Sequence, residues 1–358
     1  MNHVLWLVSL EIELRPFDPF TATEEEWKLF HEFRYKRYPE FAPGDPITAD
    51  EAVEKSLRFM RDEEYIETHS VHQKGSDEWI GLVRVSHIKE TSPSYEENKD
   101  QCFVYNLALL TPYRGKGIGK KLLKVVLDYA KKYQKDIIIT GVSEDHGKRF
   151  MRKLNAHEAL TGIENRLDLT DLNWDMIDAW IEEGPRRSPE SKLEFFEECP
   201  DDILEDYCEF YTEVGNQTPR EELAVGDFII TPEVRRQHEK YQKDLNVTWL
   251  TAITREPNGD ISGMTEVFYR PSKDPLIQQE LTGVSDKYRG SGKGKWLKAV
   301  MLREIQRRFP TVITVVTGNA TSNAPMLSIN NRLGFKVHKE TIAAQIKTNE
   351  LEKYLAKH

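Results

Sequence analysis

The chain contains few cysteines, and their positions exclude two classes of site. Only three occur in 358 residues, Cys102, Cys199 and Cys208. They show neither the spacing of a zinc site nor the number that a disulfide framework needs. The cysteines therefore predict a reducing cytoplasm. The ten histidines form no ligand spacing with cysteines or carboxylates, so we also predict no catalytic metal.

Long apolar runs and an excess of positive charge are also missing. No stretch reaches the roughly 20 apolar residues of a transmembrane helix. The apolar run at residues 4–10 lacks the basic start of a signal peptide, so it predicts a first β-strand. A net charge of −10 argues against general nucleic-acid binding. We expect neither nucleic acid nor membrane among the partners.

What the sequence does contain is one glycine-rich phrase that occurs twice. The copies are Tyr-Arg-Gly-Lys-Gly-Ile-Gly-Lys at residues 113–120 and Tyr-Arg-Gly-Ser-Gly-Lys-Gly-Lys at residues 288–295. Their arginines, Arg114 and Arg289, are 175 positions apart, close to half of the chain. Each copy follows a short apolar run and opens a long amphipathic segment. This recurrence predicts two related domains.

The repeat extends to both sides of the glycine phrase. Residues 79–85 parallel residues 261–267 with an offset of 182, and both runs are rich in β-forming residues. The order of predicted elements in each half is three strands, a helix, a strand and a helix, which indicates an α/β unit with a mixed sheet. The polar stretch at residues 184–191 contains two prolines and predicts a linker. The expected division is 1–183, linker 184–191, and 192–358.

The glycine phrase has a physical use at the start of a helix. Glycine permits a positive φ and leaves no Cβ between the backbone amides and a ligand. The exposed N–H groups and the helix dipole then favour a phosphate or a pyrophosphate. The spacing is neither that of a Rossmann fingerprint nor that of a P-loop. The alternative is a glycine turn that only permits close packing.

Both phrases resemble the acetyl-CoA-binding motif of the GNAT family of N-acetyltransferases, Arg/Gln-x-x-Gly-x-Gly/Ala after the fourth strand. The second half adds a segment similar to the family's, with Asn323 before a helix that ends in Leu-Gly-Phe at residues 333–335. The resemblance covers most of both halves. It implies two tandem GNAT domains, in the two-domain arrangement of mycothiol synthase, with acetyl-CoA and a small amine-bearing acceptor as partners in a monomer or a homodimer.

The resemblance also implies a set of cofactor-binding residues. Strands ending near Leu109 and Val284 would pair with the pantetheine arm, and Asn323 would hydrogen-bond the cofactor near that arm. Backbone amides in both glycine phrases would hold the pyrophosphate. These residues are Arg114, Gly115, Lys116, Gly117, Ile118, Gly119 and Lys120 in the first phrase, and Arg289, Gly290, Ser291, Gly292, Lys293, Gly294 and Lys295 in the second.

Catalysis requires a base for the amine and a proton for the departing thiolate. In the family the base often lies on strand four, where the second half has Glu280 and the first half has Tyr105. Glu266 on the preceding strand is a second candidate base. Asn330 stands where many members carry a tyrosine acid, so a tyrosine elsewhere, an Asn-held water or bulk water would protonate the thiolate. Surface or core positions for these carboxylates are the alternative.

The sequence therefore predicts an N-acetyltransferase that moves acetyl from acetyl-CoA to a primary amine by direct attack, with the catalytic site in the C-terminal half. Two alternatives stay open. The chain could be a CoA-binding sensor or scaffold without turnover, because the family tyrosine is missing from both halves. Catalysis could also lie in the N-terminal half, whose glycine phrase matches the motif more cleanly.

Overall fold

The computed structural model describes residues 10–357, which form twelve strands and eleven α-helices. The predicted strand at residues 4–10 lies outside this range except for Leu10, which is not in a strand. The strands are β1 (Ile12–Pro16), β2 (Glu64–Gln73), β3 (Trp79–Ile88), β4 (Gln101–Leu109), β5 (Ile137–Val142), β6 (His157–Asp168), β7 (Lys192–Phe196), β8 (Thr248–Arg255), β9 (Ile261–Tyr269), β10 (Leu276–Val284), β11 (Thr314–Ala320) and β12 (Lys336–Lys347).

The helices fall between these strands. They are α1 (Glu24–Phe41), α2 (Asp50–Glu63), α3 (Tyr95–Asn98), α4 (Ile118–Lys132), α5 (Asp145–Lys153), α6 (Trp174–Arg187), α7 (Leu204–Asn216), α8 (Pro232–Asp244), α9 (Lys293–Arg308), α10 (Ala324–Leu333) and α11 (Thr348–Lys357). Among the described helices, none combines the length and the apolar character needed to cross a bilayer.

The chain divides into two compact units. Unit 1 comprises residues 1–158 and 343–358, and unit 2 comprises residues 159–342. Unit 1 has the strand order β1-β2-β3-β4-β5, in which β4 and β5 are parallel and the other neighbours are antiparallel. Unit 2 has the order β6-β11-β10-β9-β8-β7, with β10 and β11 parallel. The predicted mixed α/β sheet is confirmed.

Helices cover both faces of the sheet in unit 1. The apolar stripe of α4, including Leu122 and Val126, packs on one face with Ile346 and Leu351 from the C-terminal segment. On the other face, aromatic residues of α1 pack around Trp79. Helix α1 begins at Glu24, directly after Thr23, and Thr23 and Glu26 form a reciprocal capping box there. The sheet of unit 1 is thus packed between two apolar layers.

Unit 2 repeats this arrangement with its own helices. Helix α9 packs on one face of the sheet together with Ile177 and Trp180 of α6. On the other face, α7 contributes Tyr207 and Phe210 to a second core with Met264. Both units therefore have the predicted order, which is three strands, a helix, a strand and a helix.

The predicted linker is not an irregular segment throughout. Residues 184–187 continue α6, and only the residues after Arg187 leave the helix. Gly184 serves a close approach to the ring of Trp296, since a Cβ built on it would lie 2.3 Å from ring atoms. The polar, proline-bounded pattern predicts a linker here, whereas Gly184 permits tight helix packing. The bounds of the two compact units also differ from those of the predicted halves, 1–183 and 192–358.

Candidate functional site

In unit 1 the glycine phrase forms a sharp turn between β4 and α4. Gly115 and Gly117 adopt left-handed φ values of +74° and +80°, which favour glycine. A Cβ built on either residue would have no other atom within 4 Å, so the space above the turn is open. Ile118, Gly119 and Lys120 form the first turn of the helix. The turn can therefore admit a ligand group against its backbone.

In unit 2 the same turn is partly covered. Gly290 and Gly292 have φ values of +81° and +88°. The guanidinium of Arg187 lies 3.0 Å from a Cβ built on Gly292 and donates a hydrogen bond of 2.8 Å to the carbonyl of Gly290. A positive charge at this place is compatible with an anionic ligand, although it narrows the space. Sequence reasoning missed Arg187 because it lies in the segment predicted as a linker.

The motif arginines fold back onto the strands that precede them. Arg114 Nε donates to the carbonyl of Leu109 at 2.9 Å, and Arg289 Nε donates to the carbonyl of Val284 at 3.2 Å. Their own amides donate to Thr111 and Asp286. The carbonyls of the two strand ends and the amides of the two arginines are thus engaged within the chain. The amides that follow them along each turn remain the better candidates for a pyrophosphate.

The remaining members of the second phrase differ in their roles. The side chain of Lys293 is buried and contacts Glu256 at 3.0 Å and Ser191 at 2.6 Å. Lys295 pairs with Glu183 at 3.2 Å, and its amide donates to the carbonyl of Gly292. Two other members make contacts within the unit. Ser291 Oγ donates a hydrogen bond to the Tyr288 carbonyl, and a Cβ built on Gly294 would contact the side chain of Ile329. In the first phrase, Lys116 lies over the ring of Tyr113.

Each unit has a split in its parallel strand pair directly before the glycine turn. The pairing of β4 with β5 ends at Val104 and Thr140, and that of β10 with β11 ends at Gln279 and Thr317. At the same level a β-bulge interrupts the antiparallel pairing with the preceding strand. Beyond the split, the later residues of β4 and β10 present a strand edge, which can accept an extended, amide-bearing chain.

The bulges contain Tyr105 and Glu280, which occupy equivalent positions in the two halves of the internal repeat. The Tyr105 hydroxyl donates to Glu64 at 2.8 Å, and burial raises the pKa of that carboxyl while the hydrogen bond from Tyr105 opposes the rise. Glu280 is exposed to solvent, yet the surrounding protein raises its pKa and the positive charge of Arg270 opposes this rise. Each split thus has a carboxylate close to it, and Glu64 was not foreseen.

Glu266 lies inside the protein. Its side chain is fully buried and accepts hydrogen bonds from Tyr211 at 2.9 Å and Trp249 Nε1 at 2.7 Å. Burial raises its pKa to about 7, while the charge of the buried Arg235 and the two hydrogen bonds oppose the rise. Arg235 in turn pairs with Glu239 at 2.8 Å. Glu266 is therefore satisfied by its neighbours and is not placed to meet an acceptor directly.

The two asparagines of α10 are also engaged within unit 2. Asn323 caps the helix, since its side chain accepts from the amide of Met326 at 3.3 Å. Asn330 is buried and donates to Asn319 Oδ1 at 2.8 Å, whereas its own Oδ1 has no partner among the described residues. The structure thus brings Asn330 to Asn319. Its role near a thiolate stays a prediction.

A charged network in unit 1 connects α1 to both sides of the split. Glu40 pairs with Arg114 and accepts from the amide of Thr111 at 3.1 Å, while Arg37 pairs with Glu144. Sequence reasoning missed this network because helix periodicity gives no long-range partners. Among the described residues, no group of three or more His, Cys, Asp and Glu side chains is arranged to hold a metal ion.

Comparisons with known proteins agree with this geometry. Residues 24–155 match the family described as "Acetyltransferase (GNAT) family". No curated protein sequence matches the chain significantly.

Three solved structures are similar over 94% of this chain. A tandem GNAT protein from the clavulanic acid biosynthesis pathway has a TM-score of 0.75 at 20% identity, over 99% of its own chain. A GNAT from Sphaerobacter thermophilus has a TM-score of 0.61 at 14% identity, over 96% of its chain. The glucosamine N-acetyltransferase region of a fungal multi-domain β-N-acetylglucosaminidase has a TM-score of 0.66 at 14% identity, over 38% of that chain.

The family match covers β2 to β4, the first glycine turn and α4, and the structural similarity extends to both units. Residues 24–155 match the GNAT acetyltransferase family, and the chain as a whole has the fold of a tandem GNAT protein.

Proposed function

We propose that the protein transfers an acetyl group from acetyl-CoA to the primary amine of a small acceptor. The observation that carries this proposal is the combination present in each unit: an open strand edge beside a split strand pair, followed by a left-handed glycine turn at a helix N-terminus. The turn suits the pyrophosphate of CoA and the strand edge suits the amides of its pantetheine arm.

The chemistry that we propose needs few groups. The free amine attacks the thioester carbonyl carbon, a C–N bond forms, and the C–S bond breaks to release CoA thiolate. The amine proton must leave, and the thiolate takes a proton from water. Glu280 suits the proton transfer because it is solvent-exposed, lies at the bulge and has a pKa that the surrounding protein raises. Catalysis is therefore assigned to unit 2.

A second assignment, to unit 1, rests on two specific observations. The turn at Gly115 and Gly117 is open, whereas Arg187 narrows its counterpart. The Tyr105–Glu64 pair also places a carboxyl with a raised pKa at the bulge of this unit. In this alternative the tyrosine hydroxyl would relay the amine proton to Glu64. The third candidate is a CoA-binding sensor, which would bind the donor in either unit without turnover.

The test measures release of free CoA thiol with a panel of primary amines. Glucosamine belongs in the panel because one similar structure is a glucosamine N-acetyltransferase region. Glu280→Gln keeps size and hydrogen bonding but cannot accept a proton, so we expect turnover to fall by about a hundredfold with unchanged acetyl-CoA affinity. The defect should shrink at alkaline pH, where the amine arrives deprotonated. Glu209→Gln, on an exposed position of α7, is the control.

The outcomes separate the three candidates. If Tyr105→Phe lowers turnover and Glu280→Gln does not, the active site belongs to unit 1. If CoA binds in calorimetry but no amine supports thiol release from the wild-type protein, the sensor assignment replaces the enzyme.

A further inference from the structure

Unit 1 contains a cavity of about 190 Å³ on the face of the sheet that carries α1 and α2. One part of its lining is apolar and includes Phe17, Leu57 and Ile66. The other part is polar or charged and consists of Asp18, Arg61, Glu67, Thr68, His69 and Arg84. The volume is below the roughly 300–1,000 Å³ of sites for drug-sized ligands. Only a small molecule, or one end of a larger molecule, fits there.

Arg84 is a buried cation without a counter-charge. Only 8% of the residue is exposed. Its Nε donates to Thr68 Oγ1 at 3.1 Å and its Nη1 donates to Asn106 Oδ1 at 3.4 Å, and both acceptors are neutral. No carboxylate of the described chain pairs with it. Burial lowers the pKa of Arg84 to about 10, so the group is still charged at neutral pH. A buried charge is normally paired.

The matched position in unit 2 shows how such a charge is satisfied internally. With the offset of 182, Arg84 corresponds to Glu266, and each lies opposite a threonine of the neighbouring strand. Glu266 has the buried Arg235 as its counter-charge and two hydrogen-bond donors. Unit 1 has the opposite charge at this place and a cavity beside it. The missing partner in unit 1 is therefore an anion.

We infer that this cavity binds the carboxylate of a small, largely apolar carboxylic acid, with Arg84 as its charged partner. The guanidinium can donate two parallel hydrogen bonds to a carboxylate or to a phosphate, so the other lining residues decide between them. The other lining cation, Arg61, is already paired with Asp18 at 2.5 Å, and that aspartate repels a dianion more strongly than a monoanion. The apolar part of the lining suits the aliphatic body of a carboxylic acid.

The test uses isovalerate as the probe and isothermal titration calorimetry on the full chain without CoA, so it does not depend on acetyl transfer. We expect isovalerate to bind, while the isosteric neutral amide, isovaleramide, does not. Arg84→Met keeps the length of the side chain and removes its charge, and it should weaken isovalerate binding at least about tenfold. Arg152→Met, on an exposed and separately paired arginine, should bind like the wild type. Leu57→Phe should weaken binding by filling the cavity.

Thermal unfolding distinguishes a ligand-binding role from a structural one. If Arg84 lacks its partner in the free protein, Arg84→Met should unfold at the same or a higher temperature than the wild type. Isovalerate should raise the melting temperature of the wild type and not that of the variant. The inference is overturned if isovalerate does not bind, if it binds Arg84→Met equally well, if inorganic phosphate binds more tightly, or if Arg84→Met fails to fold.

Discussion

Lys298 offers a quantitative test of how unit 2 is packed. This lysine of α9 is 1% exposed, and its Nζ donates to Gln279 Oε1 at 2.8 Å. No carboxylate pairs with it in the described part of the chain. Burial lowers its pKa to about 7 from an ordinary value of 10.5. The equivalent positions in unit 1 are Leu123 and Val104, which are apolar. Unit 2 therefore carries a titrating group where unit 1 has a plain hydrophobic contact.

The sign and the size of the effect follow from linkage. A base whose pKa is lower in the folded state destabilises that state wherever the unfolded chain is protonated. The cost is largest below pH 7 and disappears as the pH rises toward 10.5. With about 1.4 kcal/mol for each pKa unit, it is about 4 kcal/mol at pH 7 and about 1 kcal/mol at pH 10. The wild-type protein should therefore gain about 3 kcal/mol from this group between those pH values.

The measurement compares the wild type with the double variant Lys298→Leu/Gln279→Val. This variant has the same two residue types as Leu123 and Val104 in unit 1, and it does not leave the Gln279 side-chain amide without the hydrogen bond from Lys298. Urea unfolding at pH 7, 8, 9 and 10 gives the stability difference, in which packing effects cancel because they do not depend on pH. We expect the advantage of the variant to shrink by about 3 kcal/mol over this range. A difference that is constant with pH would refute a buried, uncompensated lysine.

Two further predictions concern the glycine turns and the cysteines. Gly117→Glu and Gly292→Glu each place a carboxylate where the pyrophosphate would lie, so each should remove one acetyl-CoA site in calorimetry. Unchanged acetyl-CoA binding in the double variant would contradict the assignment of the sites to the glycine turns. The native protein should not react with Ellman's reagent until it is denatured. All three thiols are buried, and burial raises the pKa of Cys102 and Cys199 to about 12 and that of Cys208 to about 11. Rapid reaction of the folded protein would contradict this packing.

The fold could largely be predicted because its elements are marked by local signals. The capping box at Thr23 and the apolar stripe of α4 each depend on residues a few positions apart. The division into units could not be predicted in the same way. It depends on where residues 343–358 pack, and only tertiary contacts such as those of Leu351 decide that. Gly184 shows the same limit, since a turn and a close helix contact use the same residue.

The candidate site can likewise be predicted from the sequence only in part. Positive φ at Gly115 and Gly292 follows from the glycine spacing, and the offset of the repeat brings Tyr105 and Glu280 to matching bulges. The partners of charged residues are not encoded locally. Nothing in the sequence indicates that Glu266 meets Arg235, or that Arg84, at the matching position, has no carboxylate beside it.

The division of the chain also affects the order in which the protein can fold during its synthesis. Unit 1 contains the first 158 residues and the last 16, and two of its core side chains, Ile346 and Leu351, belong to the last segment. Domains usually fold in the order in which they leave the ribosome. Here all of unit 2 is synthesised before the segment that completes the core of unit 1. The core of unit 1 can therefore be completed only after all of unit 2 has been synthesised.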